Sequence, residues 1–268
     1  LILINGLAEQ AESWYCNVHA WRRHFDVHTP SLLAYEGAAL HRYIDSGRSV
    51  NVDYLVERLH TYLEGFVQAP PYFLVANSLG GKVAVEYAIR YPDRVAKLVL
   101  LCPSGLTAGE RLPILEGVRR SDLGSVVRTV FCNPRYADPH LLAYYQRQFA
   151  NRRWRSGLLR TIRGTMAHRV RERLPLVRQL TLLVVGKEDR IVDPVQAMAA
   201  AALLPRGRLV VLKGCGHAPQ IERARVINRL VIDFLLSLAN EPRPPRSRRD
   251  SRQCIPHAPR EGLASRGA

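Results

Sequence analysis

Tyr72-Phe73-Leu74-Val75-Ala76-Asn77-Ser78-Leu79-Gly80-Gly81-Lys82-Val83-Ala84-Val85 is the stretch on which the fold turns. Its first five residues form a short apolar run with aromatic and β-branched members, as a buried strand requires. Leu79 to Arg90 reads as an Ala/Val-rich helix, and only Asn77 and Ser78 separate it from the strand. A strand that passes into a helix through so sharp a turn presents the turning residue at the sheet edge. Gly80 lets the helix approach a neighbouring strand closely. The Leu79 N–H, at the helix start, faces any negative charge that develops beside Ser78.

Outward from this stretch, strands alternate with helices. Leu1 to Ile4 is an apolar run closed by Asn5-Gly6, and Phe25 to Thr29 is a weaker strand ending at Pro30. Val95 to Leu101, Leu180 to Val185 and Arg208 to Leu212 complete the strands. Helical spacing runs through Leu55, Val56, Leu59, Tyr62, Leu63 and Phe66, and again from Pro194 to Leu204 and from Ile221 to Leu238. This alternation predicts an α/β chain with a mostly parallel sheet. Residues 109–178 lack a long β run and predict a helical cap, inserted after the strand at 95–101 and lying over the carboxyl ends of the strands, where ligands bind. Residues 1–108 and 179–239 would form the core. Residues 240–268 hold five prolines, seven arginines and three acids, which predicts a disordered basic tail.

A serine is a weak nucleophile until a base takes its proton, and the base needs an acid to orient it. Gly214-Cys215-Gly216-His217 follows the last strand, which puts His217 on a loop at the same edge as Ser78. Gly186-Lys187-Glu188-Asp189 follows the preceding strand. Asp189 reaches His217 if those strands are neighbours; Glu188 and Asp193 compete for the role, although Asp193 suits the cap of the helix opened by Pro194. The other histidines show no metal-ligand spacing, so neither metal nor organic cofactor is implied.

The order Ser78, Asp189, His217 and its setting resemble the α/β-hydrolase superfamily, in its one-domain form with a helical cap, over residues 1 to about 239. Asn5-Gly6 resembles the His-Gly that ends the family's third strand, and Ala11-Glu12-Ser13-Trp14 the segment that begins its first core helix. Tyr91-Pro92-Asp93-Arg94-Val95 and Gly216-His217-Ala218-Pro219 are similar to later landmarks. The resemblance implies catalytic Ser78, Asp189 and His217, oxyanion donors at the backbone of Leu7 and Leu79, and supporting roles for Asn5, Gly6, Asn77 and Gly80. It also implies two further strands upstream of Leu1. The departures are Asn5 for His, Ala76 for the first glycine of the elbow, and a Thr29–Gly37 passage without the family's acid.

Ester or related acyl hydrolysis through an acyl-enzyme is the first expectation. Carbon–carbon hydrolysis of vinylogous diketones is the alternative, because the Asn-Ser-Leu-Gly-Gly elbow and Pro103-Ser104-Gly105 resemble those enzymes, and a non-catalytic binding module is the third. The expected partner is a small molecule with an apolar portion. The five cysteines include no CxxC pair and suit reduced thiols in a cytoplasmic protein. The formal charge of +16 invites a nucleic-acid reading. Yet +10 of it lies in residues 109–178 and +4 in 240–268, with no aromatic interleaving, so no dedicated nucleic-acid partner is expected. The arginines around Trp154 read as a solvated helical face.

Overall fold

The computed structural model describes residues 1–9, 11–67, 69–107, 115, 117, 123–137 and 139–237. The expected tail therefore lies outside the described residues, as does part of the segment leading into the cap. Among the described residues, five strands form one parallel sheet in sequential order: β1 (Ile2–Ile4), β2 (Tyr72–Asn77), β3 (Val95–Leu101), β4 (Leu180–Gly186) and β5 (Gly207–Leu212). The register pairs Ile4 with Ala76, Ala76 with Leu100, and Leu100 with Leu183. All carboxyl ends thus reach one edge.

Strands β1 to β4 are buried on both faces, which explains their unbroken apolar runs. One face packs against α3 (Val52–Phe66) and α4 (Leu79–Arg90) through Leu55, Leu59, Leu63, Val83 and Tyr87. The other packs against the 3-10 turn Ala11–Trp14, α1 (Tyr15–Trp21) and α10 (Ala224–Leu236) through Trp14, Trp21, Ile227, Val231 and Phe234. Truncating a fully buried leucine such as Leu59 to Ala removes this packing at a cost of about 2–5 kcal/mol. Buried Lys97 on β3 donates to the carbonyls of Phe234, Leu235 and Ser237, tying the end of α10 to the sheet.

Three local expectations are revised. Phe25–Thr29 contributes only a single parallel bridge, His28 to Ile2, because the chain turns away at Pro30. The helix expected over 194–204 is α8 (Pro194–Ala200) followed by a 3-10 turn at Ala201–Leu203. The one expected over 221–238 is broken at Arg223 into α9 (Pro219–Glu222) and α10; Arg223 has left helical geometry and its guanidinium donates to the Lys213 carbonyl. One helix was not anticipated, α2 (Ala38–Asp45), which buries only Leu40 and Ile44.

The cap follows β3 and, among the described residues, includes α5 (Leu123–Val130), α6 (Pro139–Ala150) and α7 (Arg152–Thr165). Trp154, Leu158 and Ile162 of α7 pack with Phe149 against Tyr35 and Ala8 of the core. Arg152, Arg153, Arg160 and Arg163 lie on the exposed side. Gly157 permits this contact: a Cβ there would stand 2.3 Å from the Tyr35 carbonyl oxygen.

Candidate active site

Ser78 joins β2 to α4 with φ 51° and ψ −119°, in the left-handed half of backbone space that few side chains tolerate. Three backbone bonds hold it there: its N–H donates to the Leu101 carbonyl at 3.1 Å, and its carbonyl accepts from Gly81 at 2.9 Å and Ser104 at 3.0 Å. A Cβ on Gly80 would stand 2.4 Å from the Ile4 carbonyl oxygen, so the start of α4 sits directly against the end of β1. Asn77 is buried, and its amide donates to the carbonyls of Leu101 and His217, tying the elbow to the histidine loop.

His217 lies on the loop between β5 and α9 and is 5% exposed. Its Nε2 is 2.8 Å from Ser78 Oγ, and its Nδ1 is 2.8 Å from Asp189 Oδ2. The other carboxylate oxygen of Asp189 accepts from the N–H groups of Ile191 at 2.8 Å and Val192 at 3.0 Å. Burial pushes the Asp189 carboxyl up, but the positive charge of His217 and these hydrogen bonds outweigh it and hold the group below its ordinary range. Asp189 is therefore ionised, and the carboxylate selects the His217 tautomer with a proton on Nδ1. The two competing acids are placed elsewhere. Glu188 accepts from the Cys215 N–H at 3.0 Å, and Asp193 caps α8 by accepting from Val195 and Gln196.

At the end of β1, Asn5 Oδ1 accepts from the Trp14 indole at 2.8 Å, and Gly6 and Leu7 lead into Ala8, whose φ is 63°. A Cβ on Gly6 would press on Asn77 Oδ1 at 3.1 Å. Leu79 opens α4, and helical N–H groups of a first turn have no partner within the helix. Every nominated residue thus stands at the carboxyl edge of the sheet.

Two groups at this edge escaped the sequence reading. Glu9 accepts from the Gly6 N–H at 3.1 Å and lines a cavity with Gly6 and Leu79; burial pushes its carboxyl up. Cys102, directly after β3, has φ 43° and is 1% exposed. Its Sγ, an Asp189 oxygen and a His217 nitrogen lie within 4.8 Å of one another. The Gly186 N–H donates to this sulfur at 3.4 Å, and Sγ lies 3.6 Å from the Gly216 carbonyl oxygen. Burial and the Asp189 charge push the thiol well above its ordinary value, so it is held protonated. The one available signal was its position, Leu101-Cys102-Pro103 at a strand end on the same edge.

The chain is 22% identical over 260 residues to the monoacylglycerol lipase ABHD6 of Mus musculus, covering 90% of this chain and 76% of that one. It is 30% identical over 182 residues to the 2-hydroxy-6-oxo-6-phenylhexa-2,4-dienoate hydrolase of Comamonas testosteroni, covering 60% of this chain and 62% of that one. The meta-cleavage product hydrolase CumD of Pseudomonas fluorescens IP01 superposes with a TM-score of 0.71 at 19% identity, covering 87% and 89% of the two chains.

These findings correct the first expectation of function. A carboxylic ester hydrolase described by serine, aspartate and histidine alone omits Cys102, which shares one cluster with Asp189 and His217. Ester chemistry also loses its place as the leading reading, because the relative of higher identity is a dienoate hydrolase and meta-cleavage hydrolases share the fold. What stands is an enzymatic, hydrolytic constellation on a parallel sheet with an inserted helical cap. The model of the alpha/beta hydrolase fold family matches residues 1–224, and the chain belongs to that family.

Proposed function

We propose that the protein hydrolyses a carbon–carbon bond beside a ketone in a vinylogous diketone of the meta-cleavage type. The observation that carries this reading is the 30% identity to a dienoate hydrolase. The chemical name of that relative's substrate specifies a 6-oxo group conjugated to a 2-hydroxy-2,4-diene. Its cleavage adds water across a C–C bond: oxygen goes to the ketone carbon, which becomes a carboxylic acid, and a proton goes to the departing carbon.

The site supplies the groups this needs. The proton removed from the attacking oxygen passes to His217 Nε2, against which Ser78 Oγ lies at 2.8 Å. Asp189 stabilises the imidazolium that results. The backbone N–H groups of Leu7 and Leu79 serve as donors to the oxyanion. His217 then returns the proton to the departing carbon. Cys102, a protonated thiol on the Asp189 side of the ring, packs the pair without taking a proton in the reaction.

The experiment follows bleaching of the yellow dienolate form of a vinylogous diketone by the purified protein, with a p-nitrophenyl ester in parallel. The diketone is consumed, and Ser78→Ala and His217→Ala each lower kcat by about 10³-fold or more while remaining folded. Turnover of the ester with no bleaching of the diketone would overturn the proposal.

A further inference from the structure

Three successive backbone donors of the histidine loop are held by partners outside it. Cys215 N–H goes to Glu188, Gly216 N–H to Glu222 Oε2 at 2.5 Å, and His217 N–H to the Val130 carbonyl at 2.8 Å. The last two lead towards the cap. Val130 is the final residue of α5, and Glu222 uses its second oxygen, Oε1, to accept from the cap residue Asn133 at 2.9 Å. The Glu222 carbonyl also accepts from the hydroxyl of Tyr136 at 3.1 Å. Glu222 is 4% exposed. A Cβ on Gly216 would stand 2.7 Å from both the Cys132 nitrogen and the Val130 oxygen, so cap and loop are in direct backbone contact.

We propose that Glu222 is a positioning residue that fixes His217 against the cap, so that the base is correctly placed only while the α5-to-Tyr136 segment is seated. It touches neither Ser78 nor Asp189 and acts through the backbone of the residue before His217. A carboxylate is required by the donor count. Both partners are N–H groups, and glutamine offers one oxygen and one NH2, so one backbone donor would face another donor. Aspartate is a methylene too short to span both. The inference rests on His217 serving as the base of the proposed reaction, but not on which substrate is cleaved.

The test uses the full chain and two readouts. The first is the low-field proton resonance of the short His217–Asp189 hydrogen bond, observed by NMR without substrate. The second is kcat on whichever substrate the wild type turns over. In Glu222→Gln the resonance shifts or is lost, and kcat falls about 10-fold or more, since small displacements of a catalytic group carry penalties of that order. A purely structural role would lower the melting temperature and leave the resonance of the folded protein where it was. Tyr136→Phe, which removes only the cap's hydroxyl, shifts the resonance in the same direction with a loss in kcat of about 3-fold. It decides the matter if Glu222→Gln does not fold. An unchanged resonance in a folded Glu222→Gln variant, or in Tyr136→Phe where that variant alone folds, overturns the proposal. If the protein turns over no diketone, the resonance still reports on Glu222 independently.

Discussion

At the scale of single residues, the site depends on which groups are charged. Asp189 is ionised and Cys102 is a thiol, for opposite reasons: one is paired with the His217 ring and two N–H groups, the other is buried beside a carboxylate. Cys102→Ala is therefore expected to keep kcat within about 10-fold of wild type. It should cost about 1–2 kcal/mol in denaturant unfolding, as a small buried cavity does. A loss as large as that of Ser78→Ala would assign the thiol a direct part in the chemistry. The placement of Ser78, Asp189 and His217 side by side at the sheet edge was legible because each lies in a short motif next to a strand end. Glu222 was not. It follows His217 by five residues, but its meaning comes from Asn133, a backbone donor far away in the chain. A one-dimensional pattern carries no record of which N–H lacks a partner.

At the scale of elements, the elbow works because α4 starts against β1. The absent side chain of Gly80 is what allows it, with the Ile4 and Asn5 carbonyl oxygens 2.4 and 2.6 Å from where a Cβ would be. Both obstacles are backbone, so neither can swing aside. Gly80→Ala should destabilise the protein by about 3 kcal/mol, measured by chemical unfolding, and should lower kcat because the turn at Ser78 moves with the helix. A variant as stable and active as wild type would show that the close approach is not needed. The element pattern was legible where burial is two-sided and apolar runs are unbroken, as in β2 and β3. It was misleading at Phe25–Thr29, where a short alternating run by the sheet edge finds only one bridge before Pro30. The long apolar stripe after Pro219 likewise concealed the break at Arg223, which a side-chain bond to Lys213 fixes.

At the scale of the whole molecule, the cap is joined to the core by polar contacts as well as by Trp154 and its neighbours. The Lys82 ammonium donates to the Thr165 carbonyl at the end of α7 at 3.1 Å. Buried Glu86 on α4 meets His168 at 2.9 Å and Arg173 at 2.5 Å. Burial alone would raise the Glu86 carboxyl, but those two partners outweigh it and lower it below its ordinary value. The folded state thus favours the ionised form. Its contribution is full above the unfolded value of about 4.5 and is lost as pH falls through the lower folded value. Thermal melts from pH 7 to 3 should show Glu86→Gln less stable than wild type at neutral pH, with the difference shrinking under acid. A constant difference would exclude this linkage. The charge of +16 was legible as to its address, with most of it in residues 109–178. The seating of the cap was not, because it is made by pairs such as Lys82 and Thr165 that the chain separates widely.

The central claim is that water is added across a carbon–carbon bond, and analysis of the products tests it most directly. The purified protein is incubated with a vinylogous diketone in heavy-oxygen water, and the products are examined by mass spectrometry. The account predicts two fragments, a carboxylic acid carrying one oxygen from the solvent and an enol or keto acid in equal amount. Recovery of intact diketone from a preparation that hydrolyses a simple ester would contradict it.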